Sequence, residues 1–522
     1  MPPLRPSPVS WLCCCFALLA TQPLAGQLPP LTVPKGLFRL DLGGRLENWD
    51  QAYFGGVKRT AAGDFVRNPA TGSWLPALGE VERRLQALTG GPRISLSLGQ
   101  TTGHMLVNVG TESIGAAYGL TRRLTLFGTI PIVRVRVQDS IQVDSSGATA
   151  GFNPANPLFG SIDGSGRTTG FFSQLQTALA SLSSQIASGT YDNDPARKAL
   201  AQATLARGNS MATSLQELLV DSPFLPVVGT PGAIALAVSI DSIRTALLAV
   251  DPNLRVSNSP ALPTNGIPQS ALEGFATNPD GSVVAQPFQP PILRSIGDIE
   301  VGAAYLWLDH RPTRGGLAVR SVLQGTVRLR TGRLDQPDDL FDLPTGDRQP
   351  DVQGDLVTDL GAGKLGARIT ARYVLQLPGR QERRLTPPDQ PIAAANTLAA
   401  VERDPGEILE GSVEPYLRIA PHFALVAGVR HWQKGSDKYT YVPNQDSIPG
   451  TTPDVLALGS KENGTVLTAA LSFAHDGVRR DGRRGMPIDA VLRGELVVGS
   501  SQGRVPVRQS ISLMLRLYRK MF

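Results

Sequence analysis

The chain has 522 residues and a formal net charge of +6, with 41% hydrophobic, 6% aromatic and 18% charged residues. It is rich in Gly (55) and Pro (42), and its three Cys all fall at positions 13–15, which leaves the rest of the chain without thiolate chemistry or disulfides. The modest charge, with no basic stripe interleaved with aromatics, excludes nucleic acid as a partner.

Residues 1–26 carry Arg5, a short apolar run from Trp11 to Ala20 and small residues through Ala25 and Gly26. This is the pattern of a cleaved export signal, too short to span a bilayer, which takes about 20 apolar residues. No cysteine follows the small residues, so a lipid anchor is not expected.

Beyond the signal, period-two alternation recurs at intervals. Phe38, Leu40, Leu42 and Leu46 form one face of the first candidate strand, and Arg39, Asp41, Arg45 and Glu47 the other. A helix-like stretch covers 78–88. A long second strand is expected over 94–118, with a change of phase near Gly110–Ser113 that suggests a β-bulge. The third runs from Leu124 to Val137, interrupted at Pro131.

Residues 140–291 differ in kind. Leu175, Leu179, Leu182 and Ile186 recur at helical spacing; Asp194-Pro195 opens a helix to about Leu219, and Thr230-Pro231 another to Val250. Coil rich in Pro and Asn follows. Strands resume at 296–308, 317–331, 351–360, 365–377, 407–419, 423–432, 464–473, 488–498 and 505–518. The total of about twelve is even, as bacterial membrane barrels require. Short links (119–123, 361–364, 420–422) alternate with long ones (140–291, 333–350, 380–405, 435–462), as periplasmic turns alternate with outer loops.

The expected fold is therefore all-β: a transmembrane antiparallel β-barrel in the bacterial outer membrane. Residues 27–139 supply its first part, 140–291 a helical insertion that is an extracellular loop or a lumen cap, and 292–522 the remainder. Its partners are the lipid bilayer, the outer-membrane assembly machinery and a small solute. On the C-terminal strand, Ile511, Leu513, Leu515 and Leu517 alternate with mostly polar residues, while Phe522 falls on the opposite phase.

Gly297-Asp-Ile-Glu-Val-Gly-Ala-Ala-Tyr305, Gly325-Thr-Val-Arg-Leu-Arg-Thr-Gly332, Leu343-Pro-Thr-Gly-Asp347 and the turn Tyr118–Thr125 resemble segments of the outer-membrane channels for long-chain fatty acids and aromatic hydrocarbons, and of the barrels associated with phenol degradation. The resemblance implies a transporter of small, hydrophobic solutes. It transfers no ligand residue, and that group's barrels of about fourteen strands with an N-terminal hatch differ from the twelve counted here.

On the presumed lumen face, neighbouring strands carry opposite charges: Arg320, Gln324, Arg328 and Arg330; then Asp351, Asp355 and Asp359; then Arg368 and Arg372; then Glu410 and Glu414. Cross-strand ion pairs are expected, since opposing side chains sit about 5 Å apart. The ladder is either structural packing of a narrow lumen or a charged constriction that selects solutes. Gly361-Ala-Gly-Lys-Leu-Gly366 has dinucleotide-fingerprint spacing but lies between strands, so it is read as a turn. The five histidines (104, 310, 422, 431, 475) are scattered, with no serine two residues on and no ligand spacing, so neither a hydrolase nor a metal site is expected. No cofactor is expected. The function expected is passive passage of a small solute; the alternative is a structural or binding barrel that uses its helical insertion.

Overall fold

The computed structural model describes Leu28 and residues 30–278, 292–312, 316–339, 341–475 and 486–520. The expected signal segment and Phe522 lie outside them.

Twelve strands close into an antiparallel barrel. They are β1 (Leu37–Trp49), β2 (Gln100–Gly119), β3 (Leu124–Asp144), β4 (Glu300–His310), β5 (Ala318–Arg328), β6 (Asp351–Ala362), β7 (Leu365–Gln376), β8 (Ile408–Ala420), β9 (Phe423–Lys434), β10 (Glu462–His475), β11 (Ile488–Gly499) and β12 (Gln509–Lys520). Each pairs with its sequence neighbours, and β1 closes on β12 from Leu37↔Lys520 to Asn48↔Gln509. Closure satisfies every edge, which a strand wall in hydrocarbon requires.

Alternation sets the two faces. Leu42, Leu46, Leu323, Leu356, Ile369, Val413, Leu425, Leu467, Leu492, Ile511 and Leu513 point outward and are exposed. An apolar exterior on a closed, even-numbered antiparallel barrel identifies an outer-membrane protein. Among the described residues, Pro231–Val250 is the one helix long and apolar enough to cross a membrane, but Leu236, Ile240, Ile243 and Leu247 bury one of its faces in the helical core.

In a closed antiparallel cylinder, links alternate between ends. The links after β1, β3, β5, β7, β9 and β11 share one end and include the five longest; the remaining links, the start of β1 and the end of β12 share the other. At the long-link end sit five helices among the described residues: α1 (Pro76–Thr89), α2 (Ile162–Ala187), α3 (Pro195–Leu219), α4 (Pro231–Val250) and α5 (Gln269–Thr277). Asp194 caps α3 by accepting from the Arg197 N–H at 3.0 Å, and proline opens α1, α3 and α4. The helical core is not made by the 145–278 segment alone. Trp74, Leu75, Leu78, Val81 and Leu85 from the first long link, Leu96 and Leu98 before β2, and Ile392 between β7 and β8 pack into the same cluster as Phe171, Leu182, Leu215, Leu247 and Phe275. Helix α5 lies where the sequence suggested only coil.

The phase change near Gly110–Ser113 is not a bulge. β2 pairs in unbroken register with both β1 and β3. What changes is the surroundings. β3 reaches Asp144, well past Val137. In its upper half Val133, Val135 and Val137 turn inward against Ala62, Phe65, Val107 and Phe341, so the inside is apolar and the outside carries Arg134, Arg136 and Gln138. A strand in contact with water outside and packed loops inside reverses the polarity of a strand in lipid.

Candidate functional site: the charged lumen

At mid-height the lumen is lined by charge. Asp359 receives a bidentate pair from Arg368 at 2.6 and 2.8 Å. Arg372 donates to Asp355 at 2.6 Å and to Glu410 at 3.3 Å. Arg328 reaches Asp351 at 2.9 Å, Arg320 lies 3.4 Å from Asp309, and Gln324 lies 3.5 Å from Asp355. The register brings these residues together as alternation implied, with Arg320 opposite Asp359, Gln324 opposite Asp355 and Arg328 opposite Asp351. Arg330 does not join. It lies past the end of β5, exposed, where the strand has stopped alternating.

Glu414 lies opposite Arg368 on the neighbouring strand. The structure brings Arg493 of β11 to Glu414, at 2.6 and 3.1 Å. These strands are separated by β9 and β10, and the side chains meet over Gly428, where a Cβ would come within 2.9 Å of Glu414 Cγ. Such a contact follows from curvature, which sequence does not show. From there the belt continues: Arg430 lies 3.7 Å from both Glu410 and Glu495, and Arg45 contacts Glu495 at 3.2 Å and Glu47 at 2.9 Å. Arg39 pairs with Asp41 at 2.7 Å, and Arg516 lies 3.9 Å from Asp41. Arg430, Arg493, Glu495 and Arg516 were legible as inward positions of alternating strands, but not as members of this network.

These groups enclose a cavity of about 310 Å³, lined by Arg39, Asp355, Arg372, Glu414, Arg493 and Glu495 among others. Leu28 and residues 30–36, which sequence did not mark, lie against its short-turn side, with Pro30 and Leu31 among its lining. Leu28 packs on Tyr416, Ala424, Val426 and Ala470; Leu31 on Ala304, Leu306 and Val322; Val33 on Ala117 and Tyr518. All are inward-facing. The Val33 N–H donates to Thr125 Oγ1 at 2.8 Å and the Gly36 N–H to the Gly119 carbonyl at 2.8 Å, so the segment is tethered to the wall it blocks. Nearer the long-link end, Ala62, Phe65 and Phe341 from two long links pack on the inward Val107, Val135 and Val137.

The motifs that carried the family resemblance converge on one carboxylate. β4 is preceded by a short strand, Leu293–Ile296, and the break at Gly297–Ile299 faces Pro131, whose carbonyl receives the Gly297 N–H at 2.9 Å. Asp298 sits in this break and accepts from the N–H groups of Thr331 (3.1 Å), Gly332 (2.7 Å) and Asp347 (3.1 Å). A Cβ at Gly346 would fall 2.3 Å from Asp298 Oδ2, which explains the glycine. Asp298 thereby holds the 331–347 loop, and with it Phe341, over the lumen.

Among the described residues no His/Cys/Asp/Glu group is arranged to hold a metal. His422 and His475 meet with their rings tilted at 42° and centroids 4.8 Å apart in the short-turn end, and His431 points outward and contacts Thr465.

No protein-family model and no characterised protein matches the chain in sequence. Among solved structures it is similar to an outer membrane channel from Pseudomonas putida F1, at 10% identity over 94% of this chain and 96% of that one, with a TM-score of 0.40. It is similar also to the CymD monoaromatic hydrocarbon channel (9% identity, 94% and 89% covered, TM-score 0.24) and to a Pseudomonas aeruginosa FadL homologue (8%, 93% and 90%, 0.24). These are the kinds of barrel that the sequence resemblance indicated.

Proposed function

We propose that the barrel is a passive outer-membrane channel for a small, water-borne solute, with its long-link end outside the cell. The observation that carries this reading is the mid-lumen cavity of about 310 Å³, walled by arginines and carboxylates and lined also by Pro30 and Leu31, which belong to no barrel strand. Such walls offer hydrogen bonds to replace a solute's hydration, and the mixed signs favour a polar or zwitterionic solute over a bare ion. A fully apolar solute gains nothing from this belt, because it would have to strip water from paired charges without returning any hydrogen bond. The hydrophobic class implied by resemblance therefore needs a route that avoids the ladder.

Transport requires no cofactor in this reading. Passage needs residues 28–36 to leave the lumen, while the Asp298-held loop sets the outer mouth. The experiment is liposome swelling with the purified protein, using neutral, zwitterionic and apolar solutes of matched size. Faster swelling with zwitterionic solutes supports the proposal, and no swelling with any solute, in wild type and in a variant lacking residues 28–35, refutes it.

A further inference from the structure

The outer wall contains one feature that the channel reading does not use. Along one row of paired residues, Gly494, Ile511, Leu46, Gly110, Arg134 and Arg294 follow one another across the last strands, the first strands and the short strand before β4. All point outward. The row therefore passes from the hydrocarbon-facing girdle straight into two arginines.

Arg134 and Arg294 stand directly opposite each other. Like charges in that position repel. One carboxylate answers them: Glu112 lies 3.3 Å from Arg294, with both side chains largely exposed. Among the described residues Arg134 has no carboxylate within ion-pair distance, and Arg136, one outward position further along β3, has none either. The patch therefore has more positive than negative charge, at the height where β3 leaves the apolar band after Ile130 and Ile132.

Beside it lies an open groove of about 720 Å³. Two glycines shape its floor: nothing lies within 4 Å of a Cβ built on Gly44, and one built on Gly110 meets only Leu46 Cδ2 at 3.6 Å. Leu46, Ile511, Leu513, Leu492, Ile132 and Ile292 form its apolar sides.

We infer that this groove and arginine pair form a binding site for a phosphorylated glycolipid of the outer leaflet, with an acyl chain lying over Gly44 and Gly110 and a phosphate between Arg134 and Arg294. Charge complementarity and position select the occupant. A phosphate oxygen between two guanidinium groups turns their repulsion into a pair of charge-assisted hydrogen bonds. An apolar trough joined to a cationic rim at the bilayer boundary fits a molecule with an anionic head and hydrocarbon tail. The inference rests on the proposed orientation, which places this rim in the outer leaflet; the short-turn end would place it among ordinary phospholipids.

The test uses the full-length barrel extracted from bacterial outer membranes and washed in detergent, with retained lipid identified by native mass spectrometry. The wild type is expected to keep about one phosphorylated glycolipid per barrel, and Arg134→Gln/Arg294→Gln to lose it by roughly tenfold or more. Gly110→Leu, which fills the trough beside Arg134 while leaving both arginines in place, should lower retention as well. Heat-modifiable migration on gels confirms that each variant is folded. Equal retention in the wild type and both variants, or preferential retention of glycerophospholipid, overturns the site. The channel proposal is tested separately by swelling rates, so the two fail independently.

Discussion

The segment that closes the short-turn end gives the sharpest prediction. Leu28 and Val33 are almost wholly buried, at 8% and 1% exposure, against inward-facing side chains of the wall. Truncating a buried leucine to alanine costs about 2–3 kcal/mol, and Val33→Ala about 1.5 kcal/mol. Neither residue belongs to a barrel strand, so this loss falls on the seated state of the segment and not on the cylinder. At about 1.4 kcal/mol per tenfold, Leu28→Ala should raise the ratio of unseated to seated barrels some 30-fold, and the double variant several hundredfold or more. The assay is single-channel recording in planar bilayers, reading the fraction of time spent conducting. Longer open dwell times in Leu28→Ala, and longer still in Leu28→Ala/Val33→Ala, are expected at unchanged open conductance. If the double variant folds, by its heat-modifiable mobility, and conducts no more often than the wild type, residues 28–36 are not the barrier.

Arg493→Gln removes one positive charge from the lumen; an ion passing about 5 Å away in water feels about 0.8 kcal/mol, favourable for the cation and unfavourable for the anion, so the cation-to-anion permeability ratio should rise roughly fifteenfold in reversal-potential measurements on an open variant. Arg372→Ala strands the buried carboxylate of Asp355 and should destabilise the barrel by about 3–5 kcal/mol in denaturant titrations, with Asp355→Asn/Arg372→Gln recovering most of the loss. Trp74→Ala should cost the helical cluster about 3–5 kcal/mol, read as protease cleavage within 145–278 while the strands stay intact. Asp437, in the loop after β9, gives a pH prediction. Burial pushes its carboxyl up, but Arg403, the Lys434 ammonium and the Gly406 N–H outweigh this and hold it below the ordinary carboxylate value. A depressed pKa contributes stability above the unfolded value that is lost as pH falls through the folded one. The small sheet of 379–384, 398–404 and 438–441 should therefore stay protease-resistant to below about pH 4, and Asp437→Asn should remove that resistance at neutral pH.

Much of the wall was legible without a structure, because alternation is a local property. Phe38 to Glu47 assign their own inner and outer faces, and the twelve strands, the alternating link lengths and four of the five helices follow from patterns within a few residues. The opposite charges of β5 to β8 were readable for the same reason: hairpin neighbours share a register set by short links.

Tertiary structure decided what occupies the cylinder and which face meets water. Glu414 takes Arg493, three strands away, because a curved wall brings distant inward residues together over Gly428. The phase change in β2 is a change of environment, not of backbone, and no local pattern separates the two. Residues 28–36 and the Asp298-held loop lack periodicity; they are defined by the concave surface that receives them. Local chemistry sets each strand's two sides, but the meaning of a side depends on closure, since only a closed sheet has an inside.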